Sequence, residues 1–208
     1  MRILSCFVVS LALSASAFAG DYSEAVTFNM AVSAGAATCL PNANATVRIT
    51  PNGPNQEMEV SVRGLRPNTT YTVFVLQLPK APFGVAWYQG DIETNAVGSG
   101  RSRFTGIFSD ETFAHAQGSG AAPVLHTGAF PDASANPPFA PVHMFHVGIW
   151  FDSPADASAA GCPATNTPFN GDHTAGLQVL NTGGFPNDQG PLRQVNFPPS
   201  KPRGRSKD

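Results

Sequence analysis

The stretch Met58-Glu59-Val60-Ser61-Val62-Arg63-Gly64-Leu65-Arg66-Pro67-Asn68-Thr69-Thr70-Tyr71-Thr72-Val73-Phe74-Val75 decides the fold. Met58, Val60 and Val62 alternate with Glu57, Glu59, Ser61 and Arg63, the period of a strand with one face in the core and one in water. Gly64 to Asn68 then breaks the pattern with turn-forming residues and reads as a corner. From Tyr71 to Leu78 the chain is apolar on both faces: Tyr71, Val73 and Val75 point one way, Phe74, Leu76 and Leu78 the other. A strand of that kind belongs in the middle of a structure.

The same signals recur on either side. Thr46 to Thr50 predicts a strand that ends in the turn Pro51-Asn52-Gly53-Pro54. Val85 to Thr94 and Arg101 to Phe108 flank Asn95 to Gly100, which reads as a hairpin; on its second arm Phe104, Gly106 and Phe108 oppose Arg103, Thr105 and Ile107. Val142 to Phe151 is the strongest strand signal, and a late strand is expected over Leu177 to Leu180. Between Ser109 and Pro141 the Ala, Gly and Pro content predicts mostly loop, with a short strand near Val124-Leu125. Only one helix is signalled. Ser153 caps it, Pro154 opens it and Gly161 ends it, which places it near 154–160.

Residues 60–75 resemble the E–F corner of fibronectin type III and related immunoglobulin-like domains. Leu65, Pro67, Thr69 and Tyr71 match the corner pattern, and the resemblance implies that the Tyr71 hydroxyl bonds back to the corner backbone. It stops there, because the lengths before and after the corner do not fit a fibronectin type III domain. As a whole the chain is similar to small secreted proteins of environmental bacteria, which implies a class and no mechanism. The expected fold is therefore all-β: a single antiparallel immunoglobulin-like β-sandwich over 20–195, with long irregular loops and one short helix.

Residues 1–19 carry a secretory signal pattern: Met1-Arg2, an apolar run from Ile3 to Ala15, and Ala17-Phe18-Ala19 before Gly20. The run is too short to span a bilayer, so no transmembrane segment is expected and the protein is placed outside the cytoplasm, secreted, periplasmic or at the cell surface. Cys6 leaves with the signal. Cys39 and Cys162 remain and are expected to be bridged in an oxidising compartment. Only 12% of the 208 residues are charged. Lys201, Arg203, Arg205 and Lys207 concentrate bases in a Pro-rich tail, 196–208, expected to be disordered. The body left behind is acidic, which argues against a nucleic-acid partner.

Chemistry is thinly signalled, and no cofactor is implied. His143 and His146 share the strongest strand and are superficially similar to the His-x-His strand of copper/zinc superoxide dismutases. At a spacing of three they fall on opposite faces of a regular strand, so a copper or zinc site would have to recruit His126 or His173 from loops unless a bulge intervenes. His115 completes the histidine set. Asn170 to His173 and Phe185 to Gly190 carry oxygen ligands of the kind calcium takes, but turn chemistry explains them better. A small extracellular hydrolase would draw paired carboxylates from Asp91, Glu93, Asp110 and Glu111, with Asp91 and Glu93 on one strand face beside Trp87 and Tyr88. There is no Gly-x-Ser-x-Gly. Trp87, Tyr88 and Trp150 suggest an aromatic platform for a glycan or protein ligand. Sequons at Asn44 and Asn68 mark surface turns. The expectation that follows is an exported binding or structural module without catalytic activity.

Overall fold

The computed structural model describes residues 25–53, 55–109, 112–114, 142–169 and 172–195. The signal sequence, the basic tail, the strand expected at Val124-Leu125, His115, His126, Asp110, Glu111, Asn170 and Gly171 lie outside the described residues. Ten strands are described: β1 (Val26–Val32), β2 (Asn44–Asn52), β3 (Asn55–Arg63), β4 (Thr70–Leu76), β5 (Ala86–Glu93), β6 (Gly100–Gly106), β7 (Phe113–Ala114), β8 (Val142–His143), β9 (His146–Phe151) and β10 (Gln178–Asn181). All pairing is antiparallel. Eight strands form one sheet in the order β5-β4-β9-β10-β1-β2-β3-β6, and β7 pairs with β8 beside it.

The sheet curls so that its two ends, β5 and β6, approach each other, giving an almost barrel-shaped body. Strand β1 joins the halves: Val26 to Met30 pair with β2, while Ala31 and Val32 pair with β10. The interior is filled by the alternating sets that the sequence predicts. Val47 and Ile49 of β2, Met58 and Val60 of β3, and Tyr71 and Val73 of β4 are fully buried. Each such side chain contributes about 1.5–3 kcal/mol on leaving water.

Strand β4 is buried on both faces, as its sequence implies. Tyr71, Val73 and Val75 join the interior. Phe74 and Leu76 join a second cluster on the outside of the sheet, with Trp150 and Ala175, and Phe83 and Phe169 pack over it. The roof over β4 and β9 is thus made from connecting chain rather than from a further sheet.

The corner between β3 and β4 is held by a hydrogen-bond network. The Arg66 backbone N–H donates to the Tyr71 hydroxyl at 3.0 Å. Thr94 Oγ1 accepts from Thr69 N–H and donates to the Arg66 carbonyl at 2.6 Å. Gly64, at φ +68, turns with its backbone against the Asn42 carbonyl, where a Cβ would collide. Burial pushes the Tyr71 hydroxyl up to about 12.

The helix forms where expected, as α1 (Pro154–Ala159). Ser153 accepts from the Asp156 N–H, and Gly161 follows the helix at φ +73. It delivers Cys162 to Cys39, with Cα atoms 5.3 Å apart and sulfurs 1.96 Å apart, a pair at disulfide distance. Cross-linking positions 123 residues apart is worth about 4–5 kcal/mol in the chain-entropy picture.

Two expectations are corrected. The segments around Asn95 to Gly100 do not form a paired hairpin: β5 pairs with β4, and β6 crosses to the far half to pair with β3. The link is tight, with Asn95 N–H bonded to Ser99 O at 2.8 Å, but Thr94 is tied to the Arg66–Thr69 corner, so the chain turns from one half of the sheet to the other. The strand expected over 142–151 is also interrupted at Met144-Phe145. There Met144 N–H donates to Thr112 O and Phe145 O accepts from Leu192 N–H, which draws these peptide groups out of the ladder.

Candidate functional site

Strands β5 and β6 approach each other as a seam, and the seam is closed along only part of its length. Near the Asn95 link, Ser102 Oγ donates to the Asp91 carbonyl at 2.7 Å. One step further, Gly90 adopts φ +146 and the Phe104 ring lies where its Cβ would be, 2.6 Å from that position. An aromatic ring over a glycine stitches two strands that share no ladder.

Beyond this stitch the strands part. Opposite the step from Val73 to Phe74, β5 carries one extra residue, Gln89, a bulge that bends it away. The opening is a cavity of about 380 Å³, lined by Val75, Trp87, Gln89, Thr105, Gly106, Ile107, Phe108 and Thr112. Trp87 is 59% exposed and Ile107 45% exposed at its mouth, whereas Phe108 is buried at its base. The backbone of the base is held by side chains: Phe108 N–H donates to Gln56 Oε1 at 2.7 Å, and the Thr112 hydroxyl donates to the Ile107 carbonyl. Among the described residues no ionisable side chain lines this cleft.

The bulge also sorts the residues expected to act together. Trp87 pairs with Val75 and faces the cleft; Tyr88 pairs with Phe74 and packs edge-on to it, at 5.8 Å, on the outer face. Asp91 lies opposite Thr72 and Glu93 opposite Thr70, so both carboxylates do share one face, on Tyr88's side and not on Trp87's. Burial first, then the neighbouring Asp91 carboxylate and the charge of Asp152, push the Tyr88 hydroxyl up to about 12.

Trp150 is no part of a platform. It is fully buried, with Phe74 and Phe83 edge-on to it at 5.3 and 5.1 Å and Phe169 tilted at 5.3 Å. Nothing in the sequence separates Trp87 from Trp150. The exposure of Ile107 was legible, because the alternation on β6 places it opposite Phe104 and Phe108.

The histidines are placed apart. His146 is fully buried and both ring nitrogens have protein partners: Nδ1 lies 2.9 Å from Thr182 Oγ1, and Nε2 lies 3.0 Å from the Asn187 carbonyl. A carbonyl only accepts, so Nε2 carries a proton and donates it to Asn187. Burial lowers the His146 pKa and outweighs the Asn187 carbonyl, which favours the protonated ring. The break at Met144-Phe145 supplies the irregularity that two histidines at this spacing would need, yet His143 instead stacks on Phe145 at 4.9 Å. His173 sits in an exposed turn at φ +55, its Nδ1 3.3 Å from the Pro168 carbonyl. Among the described residues no three His, Cys, Asp or Glu side chains converge as a metal site would require. The Asn187 carbonyl, in the second candidate calcium loop, is taken by His146.

Both sequon asparagines lie at the surface. Asn44 opens β2 with its amide on the Asn42 carbonyl, and Asn68 sits in the corner at φ +48. No helix among the described residues is long and apolar enough to cross a membrane. No protein-family model matches the sequence, and comparison with curated proteins gives no significant match.

Proposed function

We propose that this chain is an exported binding module, without catalytic activity of its own, whose ligand enters the cleft between β5 and β6. The observation that carries this reading is Trp87: a large aromatic side chain, more than half exposed, at the mouth of a cavity whose base is held rigid. Binding cavities are typically mostly apolar with a few polar groups, and Val75, Ile107 and Phe108 with Gln89, Thr105 and Thr112 fit that description. Export is supported by the signal pattern in residues 1–19 and by a cysteine pair at disulfide distance. Amino-terminal sequencing of the processed protein should begin at Gly20.

Trp150 is shielded from solvent, so acrylamide should quench Trp87 almost alone. Soluble polysaccharides and a random peptide library are then screened for protection of that quenching. Protection by any member supports a ligand in the cleft; a screen in which Trp87 stays equally accessible throughout ends the reading.

A further inference from the structure

Resting on that cleft, we infer that its ligand is a neutral carbohydrate, with one sugar ring lying flat on the Trp87 indole. Three observations narrow the class. First, among the described residues the lining holds no acid, base or histidine. A charged group entering it would lose hydration and meet no opposite charge among the described lining residues, which is costly, so phosphorylated, sulfated and uronic-acid ligands are disfavoured. Second, the lining is divided. Trp87, Ile107, Phe108 and Val75 offer flat or apolar surface, while the Gln89 amide and the Thr105 hydroxyl offer uncharged donors and acceptors beside it. A pyranose has the same division: apolar C–H faces and a rim of hydroxyls.

Third, the geometry disfavours the other ligand that an open strand edge invites, an extended peptide added as a further strand. Such a strand needs several consecutive free peptide groups in register. Here the cleft takes in β5 only at Trp87 and Gln89 before Phe104 covers Gly90, and the bulge at Gln89 breaks the register of that short run. A ring needs one local pocket and no register. The cavity, about 380 Å³, lies at the lower end of the range for small-ligand sites, so it suits one or two sugar units of a longer chain running on into solvent.

The test uses the processed protein and three panels: neutral oligosaccharides (cello-, manno-, xylo-, malto- and chito-series), acidic oligosaccharides (galacturonate and alginate series), and extended apolar peptides. Binding is read by calorimetry and by protection of Trp87 from acrylamide. A neutral oligosaccharide should bind and shield Trp87, with an affinity that changes less than twofold between 50 and 500 mM salt. Trp87→Ala should weaken that binding more than tenfold, Trp87→Phe less so because a flat ring remains, and Gln89→Ala by several-fold. Because Trp87 is largely exposed, both Trp87 variants should keep the wild-type unfolding midpoint. If only acidic sugars or peptides shield Trp87, the neutral-carbohydrate assignment is wrong while the cleft stands. If a neutral sugar binds equally well to Trp87→Ala, the assignment is also wrong. If nothing in the three panels shields Trp87, both the ligand class and the cleft fall.

Discussion

On β3, Met58, Val60 and Val62 are sealed in the interior while Glu57, Glu59 and Ser61 keep contact with water; on β4, Thr72, Phe74 and Leu76 are as buried as Tyr71, Val73 and Val75. One half of the sheet therefore has a solvated outer face, and the other has a roofed one. The difference comes from connections, not from a further layer of sheet. The short hairpin between β2 and β3 leaves nothing to cover their outer face, whereas the long segments around Phe83 and Phe169 fold back over β4 and β9. An apolar strand that does not alternate thus signals burial on both sides, and says nothing about what does the burying.

The largest effect should come from breaking the roofed face. Trp150→Ala removes a fully buried indole packed by Phe74, Phe83 and Phe169, and should cost about 3–5 kcal/mol in urea unfolding. Trp87→Ala, on the same half of the sheet but at the cleft mouth, should stay within about 0.5 kcal/mol of wild type. Equal losses for the two would mean that the roof contributes no packing.

The seam between the halves gives the next largest. Gly90→Val places a Cβ against the Phe104 ring at a φ that side chains rarely adopt, and should cost about 2–3 kcal/mol. In a Phe104→Ala background the steric part should vanish, so the double mutant should be less unstable than the sum of the singles. Strict additivity would show that the ring does not seal the seam there.

These particulars mark where sequence reading stopped. Alternation on β2, β3 and β6, the double-faced burial of β4, the capped helix and the pairing of Cys39 with Cys162 rest on local pattern or on arithmetic, and they could be read directly. The seam could not. A six-residue link between two strand signals looks the same whether the strands pair or diverge. The choice was made by β3 and β4, each offering an edge, and by Thr94 being bound into the Arg66–Thr69 corner. The bulge at Gln89 was invisible for a similar reason, and it decides that Tyr88 rather than Trp87 stands beside Asp91. The cleft is a product of both, so its residue types were visible in the sequence while their convergence was not.

His146 gives the roofed half its own dependence on pH. It shares an outer face of β9 with Trp150, opposite Leu76 of β4, and is buried as the neutral form between Thr182 and Asn187. Its folded pKa lies below the ordinary histidine value of 6.5, so the unfolded chain takes up the proton first on acidification. The contribution is complete above about pH 6.5 and is lost as the pH falls through the lower folded value. The unfolding midpoint should therefore drop between pH 7 and pH 5, and the drop should shrink in His146→Gln. A midpoint that rises over the same interval would mean that the imidazole is charged in the fold.

The solvated half should respond least. Arg101 and Arg103 of β6 both reach Glu59 of β3, with Arg103 Nε 2.9 Å from its carboxylate, and Arg101 first among the causes holds that carboxyl below the usual value. Both arginines are more than half exposed, so water and salt screen them, and exposed pairs of this kind are worth about 0.2–1 kcal/mol. Glu59→Gln should lower stability by about 0.5 kcal/mol at neutral pH, and the gap should close in 1 M salt. Because the folded pKa is depressed, the same gap should also close as the pH falls below about 4.5, where wild type loses the charge that the variant already lacks. A loss as large as that of Trp150→Ala would mean that Glu59 is held inside the sheet rather than on its wet face, and the contrast between the two halves would then fail.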